Sequence, residues 1–276
     1  MIGGTRSVTG YLVKGAAAVS LGFILMPLVF VVWLAFFRQE IPTFPPAGYS
    51  LRWFAAAAAN PTFVNAFVTS LQIAVAATVI GLLLGVPAAL AVARHRFFAR
   101  ETINTLLLLP LVVPGIVLGT AIYVSHVEAE ILAYGVGLEV PIIGSLGGLV
   151  AAHVLIVIPW TVRLVTATLA GANRTIEEAA QNLGAGPFTT FWRITLPTIR
   201  PGIVAATLFG FVTSFGNLEM SLFLVGPGRT TLPIAILQYL EWKLDPTVAA
   251  VSVVQISIIA VAMLITDRYV KLARVV

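Results

Sequence analysis

Residues 175–197 read Thr-Ile-Glu-Glu-Ala-Ala-Gln-Asn-Leu-Gly-Ala-Gly-Pro-Phe-Thr-Thr-Phe-Trp-Arg-Ile-Thr-Leu-Pro. This is a polar island in a chain that is otherwise almost wholly apolar. Thr175 and Glu178 have the spacing of a capping box, in which the hydroxyl accepts from a backbone N–H three residues on and the carboxylate reaches back. Ile176, Ala179, Ala180 and Leu183 recur at i, i+3, i+4 and i+7 and predict one narrow apolar face. Gly184 supplies a left-handed stop, and Gly186-Pro187 forbids continuation. A helix of about 8 residues is roughly 12 Å long, too short to cross a bilayer. Two uses fit it: a docking element for a partner, or an amphipathic helix lying in the headgroups.

The rest of the chain names its solvent. Its 276 residues are 59% hydrophobic and 10% charged, with a mean hydropathy of +1.01. A soluble domain of that length cannot hide so much apolar surface, so the solvent is lipid. Cysteine is absent, which excludes disulfides and thiolate metal sites. The net charge of +5 is no nucleic-acid footprint, because the basic residues lie in scattered short loops. No Gly-x-x-x-x-Gly-Lys-Ser/Thr loop is present, so ATP is not bound by that device. There is no catalytic triad, no His-Glu-x-x-His and no carboxylate pair inside the apolar runs. Catalytic residues, metal ligands and a cofactor site are therefore not expected, and the lone His153 reads as a satisfied interior histidine.

Six runs are long and apolar enough to span. They lie between Lys14 and Arg38, Arg52 and Arg94, Glu101 and Glu128, Glu139 and Arg163, Arg200 and Glu219, and Asp245 and Asp267. Asn60-Pro61 marks the start of the second helix, because proline suits a first turn. Pro110 and Pro114 are expected to bend the third. The fifth run is short and is expected to start one turn earlier or to tilt. The first is too long for a signal-peptide core, lacks a small-residue cleavage site, and reads as an uncleaved helix.

Basic residues set the orientation. With the N-terminus inside, Arg6, Lys14, Arg94, Arg96, Arg100, Arg163, Arg174, Arg193, Arg200, Arg268, Lys271 and Arg274 fall inside. Arg38, Arg52, Arg229 and Lys243 fall outside, so twelve of the 16 basic residues are internal. Both termini and the 171–197 loop are then cytosolic. Two outer segments, Glu128 to Tyr134 and Leu232 to Leu244, are expected to form short surface helices. Within the spans, Ser, Thr and Gln ordinarily join helices. The cluster Thr213, Ser214, Asn217 and Glu219, with Gly216 among them, is denser, and Ser214, Asn217 and Glu219 are candidates for a substrate path.

The polar island resembles the EAA loop of ABC-importer permeases. Glu178-Ala179-Ala180, three residues, Gly184, nine residues, then Ile194, Leu196 and Pro197 fill all seven fixed positions at the family spacing. In that family the short helix is a coupling helix seated in a groove of the cytosolic ATPase. The resemblance implies that Glu177, Glu178, Ala179, Ala180, Leu183 and Gly184 serve ATPase coupling. Glu178 would complete the cap and pair with a basic groove, and Gly184 would turn the chain where a side chain would clash. Residues 44–54 (Phe-Pro-Pro-Ala-Gly-Tyr-Ser-Leu-Arg-Trp-Phe), 108–119, Gly226-Pro227-Gly228, Leu232-Pro233 and 245–250 are similar to the spermidine/putrescine group, which includes opine and phosphonate importers. That group often carries acids directly after Ser-Phe in the fifth span. Here Ser214-Phe215 is followed by Gly216-Asn217, and an acid comes only at Glu219. An opine or aminophosphonate therefore fits about as well as a polyamine.

The resemblance implies an all-α membrane protein, with six transmembrane helices of the type I ABC-importer permease type and a short cytosolic coupling helix, in one domain over 1–276. It implies a multi-pass subunit of the bacterial inner membrane that is no enzyme, ATP and Mg being bound by a partner. The implied partners are a second, homologous but different permease chain, two ATPase subunits, an extracytoplasmic solute-binding protein and membrane lipid, with no nucleic acid. The rival is an ATPase-independent channel or secondary transporter. A secondary transporter more typically carries ionisable groups in mid-span, and the six runs hold no Asp, Glu, Lys or Arg.

Overall fold

A computed structural model describes residues 5–270, with side chains described over 10–268. The order is α1 (Thr5–Leu34), α2 (Arg52–Ala59), α3 (Pro61–Arg94), α4 (Arg100–Leu108), α5 (Gly115–Gly135), α6 (Leu146–Ala170), α7 (Arg174–Asn182), α8 (Pro187–Thr190), α9 (Leu196–Phe215), α10 (Ser221–Leu224), α11 (Leu232–Trp242) and α12 (Thr247–Val270). Among the described residues, β pairing is confined to two isolated bridges, Phe37 with Tyr49 and Gly226 with Arg229. Among the described residues, six helices are long and apolar enough to cross a membrane.

Local chemistry explains the boundaries. The Asn60 side chain accepts from the Thr62 N–H at 2.9 Å and Pro61 opens α3, as the Asn60-Pro61 reading anticipates. The third run departs from its expected bend. α4 stops at Leu108, a 3-10 turn covers Leu109–Leu111, and α5 starts afresh behind Pro114. Each proline removes an N–H and clashes with the preceding turn, and two within five residues end the helix rather than bend it. α5 then runs to Gly135, so Glu128 to Tyr134 is the end of the third span and not a separate surface helix.

The fifth span is longer than anticipated. It starts at Pro187 and continues for 29 residues to Phe215. Pro187 opens the helix, a π-turn over Phe191–Thr195 carries it forward, and α9 completes it. Arg193 and Arg200 therefore lie within the continuous helical stretch that includes the fifth span. α6 likewise continues past Arg163, which is exposed on its surface. The short helix expected over Leu232 to Leu244 is present as α11, with Leu232, Ile234 and Ala235 buried.

The chain divides into two compact units. The larger takes Val64–Leu237 and the chain from Ile258 onward. α6 is its central helix, with Leu149, Ala152, Val157, Val162 and Val165 all within 1% of full burial. Glycines bring its neighbours close: a Cβ at Gly81 of α3 would overlap Val157, and one at Gly85 would sit 2.7 Å from the Thr161 Cβ. Small residues at such crossings let backbones approach and gain dispersion contacts where lipid offers no hydrophobic drive. Ala89, Val165, Leu169 and Ile199 join α3, α6 and α9 at one end. Ile73, Ile122, Leu149, Ala152, Ile156, Met220 and Leu224 join α3, α5, α6 and α10 toward the other.

The smaller unit takes Gln238–Ser257 and the chain up to Phe63. Trp53 is buried against Ala35 and Ala250, and its Nε1 donates to the Phe37 carbonyl at 2.6 Å. The Tyr239 hydroxyl donates to Asp245 at 2.9 Å, and Asp245 also accepts from the Thr247 N–H at 2.9 Å where α12 begins.

Candidate functional site: the coupling loop

α7 begins at Arg174, earlier than the capping-box reading places it. Asn173 is its N-cap and accepts from the Thr175 N–H at 3.0 Å. Thr175 is thus inside the helix, and its box with Glu178 does not form. The physical reason is that asparagine caps at least as well as threonine. Glu178 instead meets Arg174 at 3.2 Å across one exposed turn, a contact of little stabilising value.

The other end follows the glycine signal. Gly184 has φ +90°, its N–H donates to the Gln181 carbonyl at 2.9 Å, and the Ala185 N–H donates to the Ala180 carbonyl at 3.0 Å. That pair of bonds is a Schellman stop. A Cβ at Gly184 would meet nothing within 4 Å. The glycine is therefore required by backbone conformation within this chain, not by a steric clash.

No residue of α7 is buried. Leu183 is 90% exposed and Ile176 57% exposed, so the apolar stripe anticipated from the spacing stands uncovered. Ala179 and Glu178 are exposed with them, and Ala180 is half-buried. Glu177 faces the other way. Its Oε1 accepts from Arg94 Nη2 at 3.1 Å and from Thr195 Oγ1 at 3.0 Å. The Arg94 and Glu177 side chains are only 17% and 15% exposed. Arg94 is the last residue of α3, where the helix dipole favours a cation. Thr195 closes the π-turn and is buried. Neither Arg94 nor Thr195 is singled out by any local pattern, because the ion pair joins residues 83 apart.

The three path candidates separate. Ser214 is buried, with its Oγ 2.8 Å from His153 Nδ1, while His153 Nε2 lies 3.2 Å from Ser221 Oγ. His153 is the satisfied interior histidine its isolation suggests. Asn217 Oδ1 accepts from the N–H groups of Met220 and Ser221 at 3.1 and 3.3 Å, and so shapes the start of α10. Glu219 is exposed and lies over the first residue of α5, where a Cβ on Gly115 would overlap its carboxylate. A carboxylate is favoured at a helix N-terminus. Among the described residues no three His, Cys, Asp or Glu side chains gather as a metal site would need.

Comparison with known proteins fixes the family. Residues 77–275 match the family described as binding-protein-dependent transport system inner membrane component. The chain belongs to this family. It is an ABC-importer permease subunit of the inner membrane, and the match takes in α7 and the fifth span. The permease is 30% identical over 231 residues to the putrescine transport system permease protein PotI of Escherichia coli (strain K12), covering 83% of this chain and 80% of that one. It is 31% identical over 247 residues to the molybdenum transport system permease protein ModB of Mycobacterium tuberculosis (strain H37Rv), covering 88% and 87%. A crystal structure of a bacterial alginate ABC transporter, in complex with a periplasmic protein bound to alginate pentasaccharide, superposes with a TM-score of 0.74 at 18% identity. That alignment covers 95% of this chain and 94% of the other, and it establishes the all-α permease fold.

Proposed function

We propose that this permease couples a separate ATPase pair to the passage of a small amino-containing solute, of the polyamine, opine or aminophosphonate class. The observation that carries the coupling half is α7, a capped polar helix with its apolar stripe uncovered and its two ends closed by an asparagine cap and a glycine stop. Glu178, Ala179, Ala180, Leu183 and Gly184 present the docking surface, while Glu177 secures the helix from behind. The ATPase, not this chain, binds ATP and Mg. A homologous second permease and an extracytoplasmic binding protein complete the assembly. ATP-driven closure of the ATPase pair moves the docking helices and shifts the spans between two states.

The inner placement of α7 follows from the distribution of basic residues. Both termini are cytosolic on this reading, and Lys271 and Arg274, which contribute to it, lie outside the described residues. For the solute, support comes from similarity to PotI and from Glu219, an exposed carboxylate suited to an amino group. Asn217 and Ser214 are held by backbone and histidine contacts and are not given contact with the solute. Similarity to ModB supports a different cargo on the same fold. Reconstitution with a partner permease, ATPase and binding protein of the same import system tests both halves. ATP-dependent uptake of radiolabelled putrescine or 2-aminoethylphosphonate is expected. Uptake of molybdate instead overturns the solute class, and ATP-independent uptake restores the channel reading.

A further inference from the structure

We propose that Glu177 is a positioning residue, which transmits the movement of the docking helix α7 into α3 and α9 through a single carboxylate oxygen shared by Arg94 and Thr195. The inference rests on the reading of α7 as the docking helix. It assigns Glu177 a task different from that of its neighbours in the coupling loop.

Three observations converge. First, α7 fully buries none of its residues, so it lacks core packing of its own and its partly buried side chains, Glu177 and Ala180, are left to hold its angle to the rest of the unit. Second, its chain connections run through Gly171 on one side and Gly184 and Gly186 on the other, residues that restrain the backbone least. A helix joined in this way pivots when pushed unless a side chain holds it. Third, the side-chain contacts described between α7 and other helices converge on Glu177 Oε1, at 3.1 Å from Arg94 Nη2 and 3.0 Å from Thr195 Oγ1. The pair is shielded, so it is screened less than a surface salt bridge.

The two partners sit where motion is useful. Arg94 ends α3, which packs along α6 through Gly81 and Gly85. Thr195 ends the π-turn that leads into α9, and Ile199, one turn on, is fully buried among Ala89, Val165 and Leu169. A push on α7 through Glu177 therefore reaches two helices already locked to the central one. A π-turn carries one extra residue per turn, which rotates the side chains before it relative to those after it. That turn aims Thr195 at Glu177 while Leu196 and Ile199 keep their places against α6.

The test uses the full complex of this chain with its permease partner and ATPase. The chain has no cysteine, so Leu218→Cys, beside Glu219, reports on the spans through its labelling rate with a membrane-impermeant maleimide. Rates are compared without nucleotide and with ATP plus vanadate. In the parent, a nucleotide-dependent change of about fivefold or more is expected, the range of ordinary allosteric coupling. Glu177→Gln and Arg94→Met are expected to keep the ATPase in the complex and to lose the change. Thr195→Val, which leaves the ion pair, is expected to reduce it less. The exchange Arg94→Glu with Glu177→Arg is expected to restore most of it, which ties the loss to the pair; a merely structural pair would instead leave the nucleotide response of assembled Glu177→Gln complexes intact. A full nucleotide response in Glu177→Gln overturns the inference, and so does failure of the charge exchange to rescue. Loss of the ATPase from Glu177→Gln alone makes Glu177 a docking contact instead. Failure of the parent to retain the ATPase overturns the docking reading, and this inference with it.

Discussion

His153 Nδ1 and Ser214 Oγ stand 2.8 Å apart between α6 and α9, both buried, although 61 residues separate them in sequence. The contact decides what Ser214 does. Its hydroxyl is engaged, together with Ser221, in satisfying the two ring nitrogens of a buried histidine. Ser214→Ala strands Nδ1 and is expected to cost about 1–3 kcal/mol, the penalty for a buried polar group left unpaired. Thermal unfolding of the purified permease measures it. Uptake kinetics per folded complex should not move, whereas a changed KM with unchanged stability would return Ser214 to the solute path.

Gly184 gives a second test, because conformation and contact predict different substitutions. At φ +90°, with no atom within 4 Å of a built Cβ, only the backbone resists a side chain. Gly184→Ala is expected to destabilise the loop by roughly 1–2 kcal/mol, the left-handed penalty of an L-residue. Gly184→Asn should cost less, since asparagine visits that region. Gly184→Val should insert normally and lose the ATPase in co-purification. If the asparagine variant loses the ATPase as fully as the valine variant, the site is sterically restricted by the partner.

Glu219 is the path candidate left exposed. Glu219→Gln keeps shape and removes charge, so slower uptake of putrescine, by several-fold, is expected with unchanged complex yield. A few-fold effect corresponds to about 1 kcal/mol, the size of a screened charge contact near water. Gly115→Ala should act in the same direction, because the added methyl overlaps the carboxylate and displaces it. Uptake unaltered over a concentration series in both variants removes Glu219 from the path.

Asp245 supplies a pH dependence outside the spans. Burial works against its ionisation, but the hydroxyl and N–H of Thr247, the Tyr239 hydroxyl and nearby Lys243 outweigh it and hold its carboxyl below the usual value. A carboxyl depressed in the fold adds stability that is present above its unfolded pKa and is lost as pH falls through the folded one. Asp245→Asn should therefore weaken the α11–α12 junction near neutral pH, by about 1 kcal/mol for a partly exposed group. The difference from the parent should shrink in acid. Hydrogen exchange at the Thr247 amide over a pH series checks the sign, and a difference that grows in acid contradicts it.

Orientation is open to direct labelling. Single cysteines at Gly137 and Gly228 should react with impermeant reagents in intact cells. Cysteines at Gly4 and Ala273, outside the described residues, should be protected until the membrane is opened. The reverse pattern would place α7 on the wrong side for an ATPase.

By itself the sequence determined what neighbouring residues decide among themselves. Apolar run length yields six spans, Asn60-Pro61 starts α3, and Gly184 ends α7, because caps, prolines and left-handed glycines act within a few residues. The same local logic under-read two places where signals compete. Pro110 and Pro114 stop a helix that apolarity would continue, and Pro187 starts one that Arg193 and Arg200 would keep out of the membrane. Gly81-x-x-x-Gly85 was present as a spacing, but only α6 opposite gives it a meaning. The orientation of each polar side chain belongs to the tertiary structure. Ser214 turns to His153, Glu177 to Arg94 and Thr195, and Glu219 stays free of both networks, because each partner is supplied by a helix tens of residues away. A helix periodicity fixes which residues share a face, and only packing fixes what that face meets.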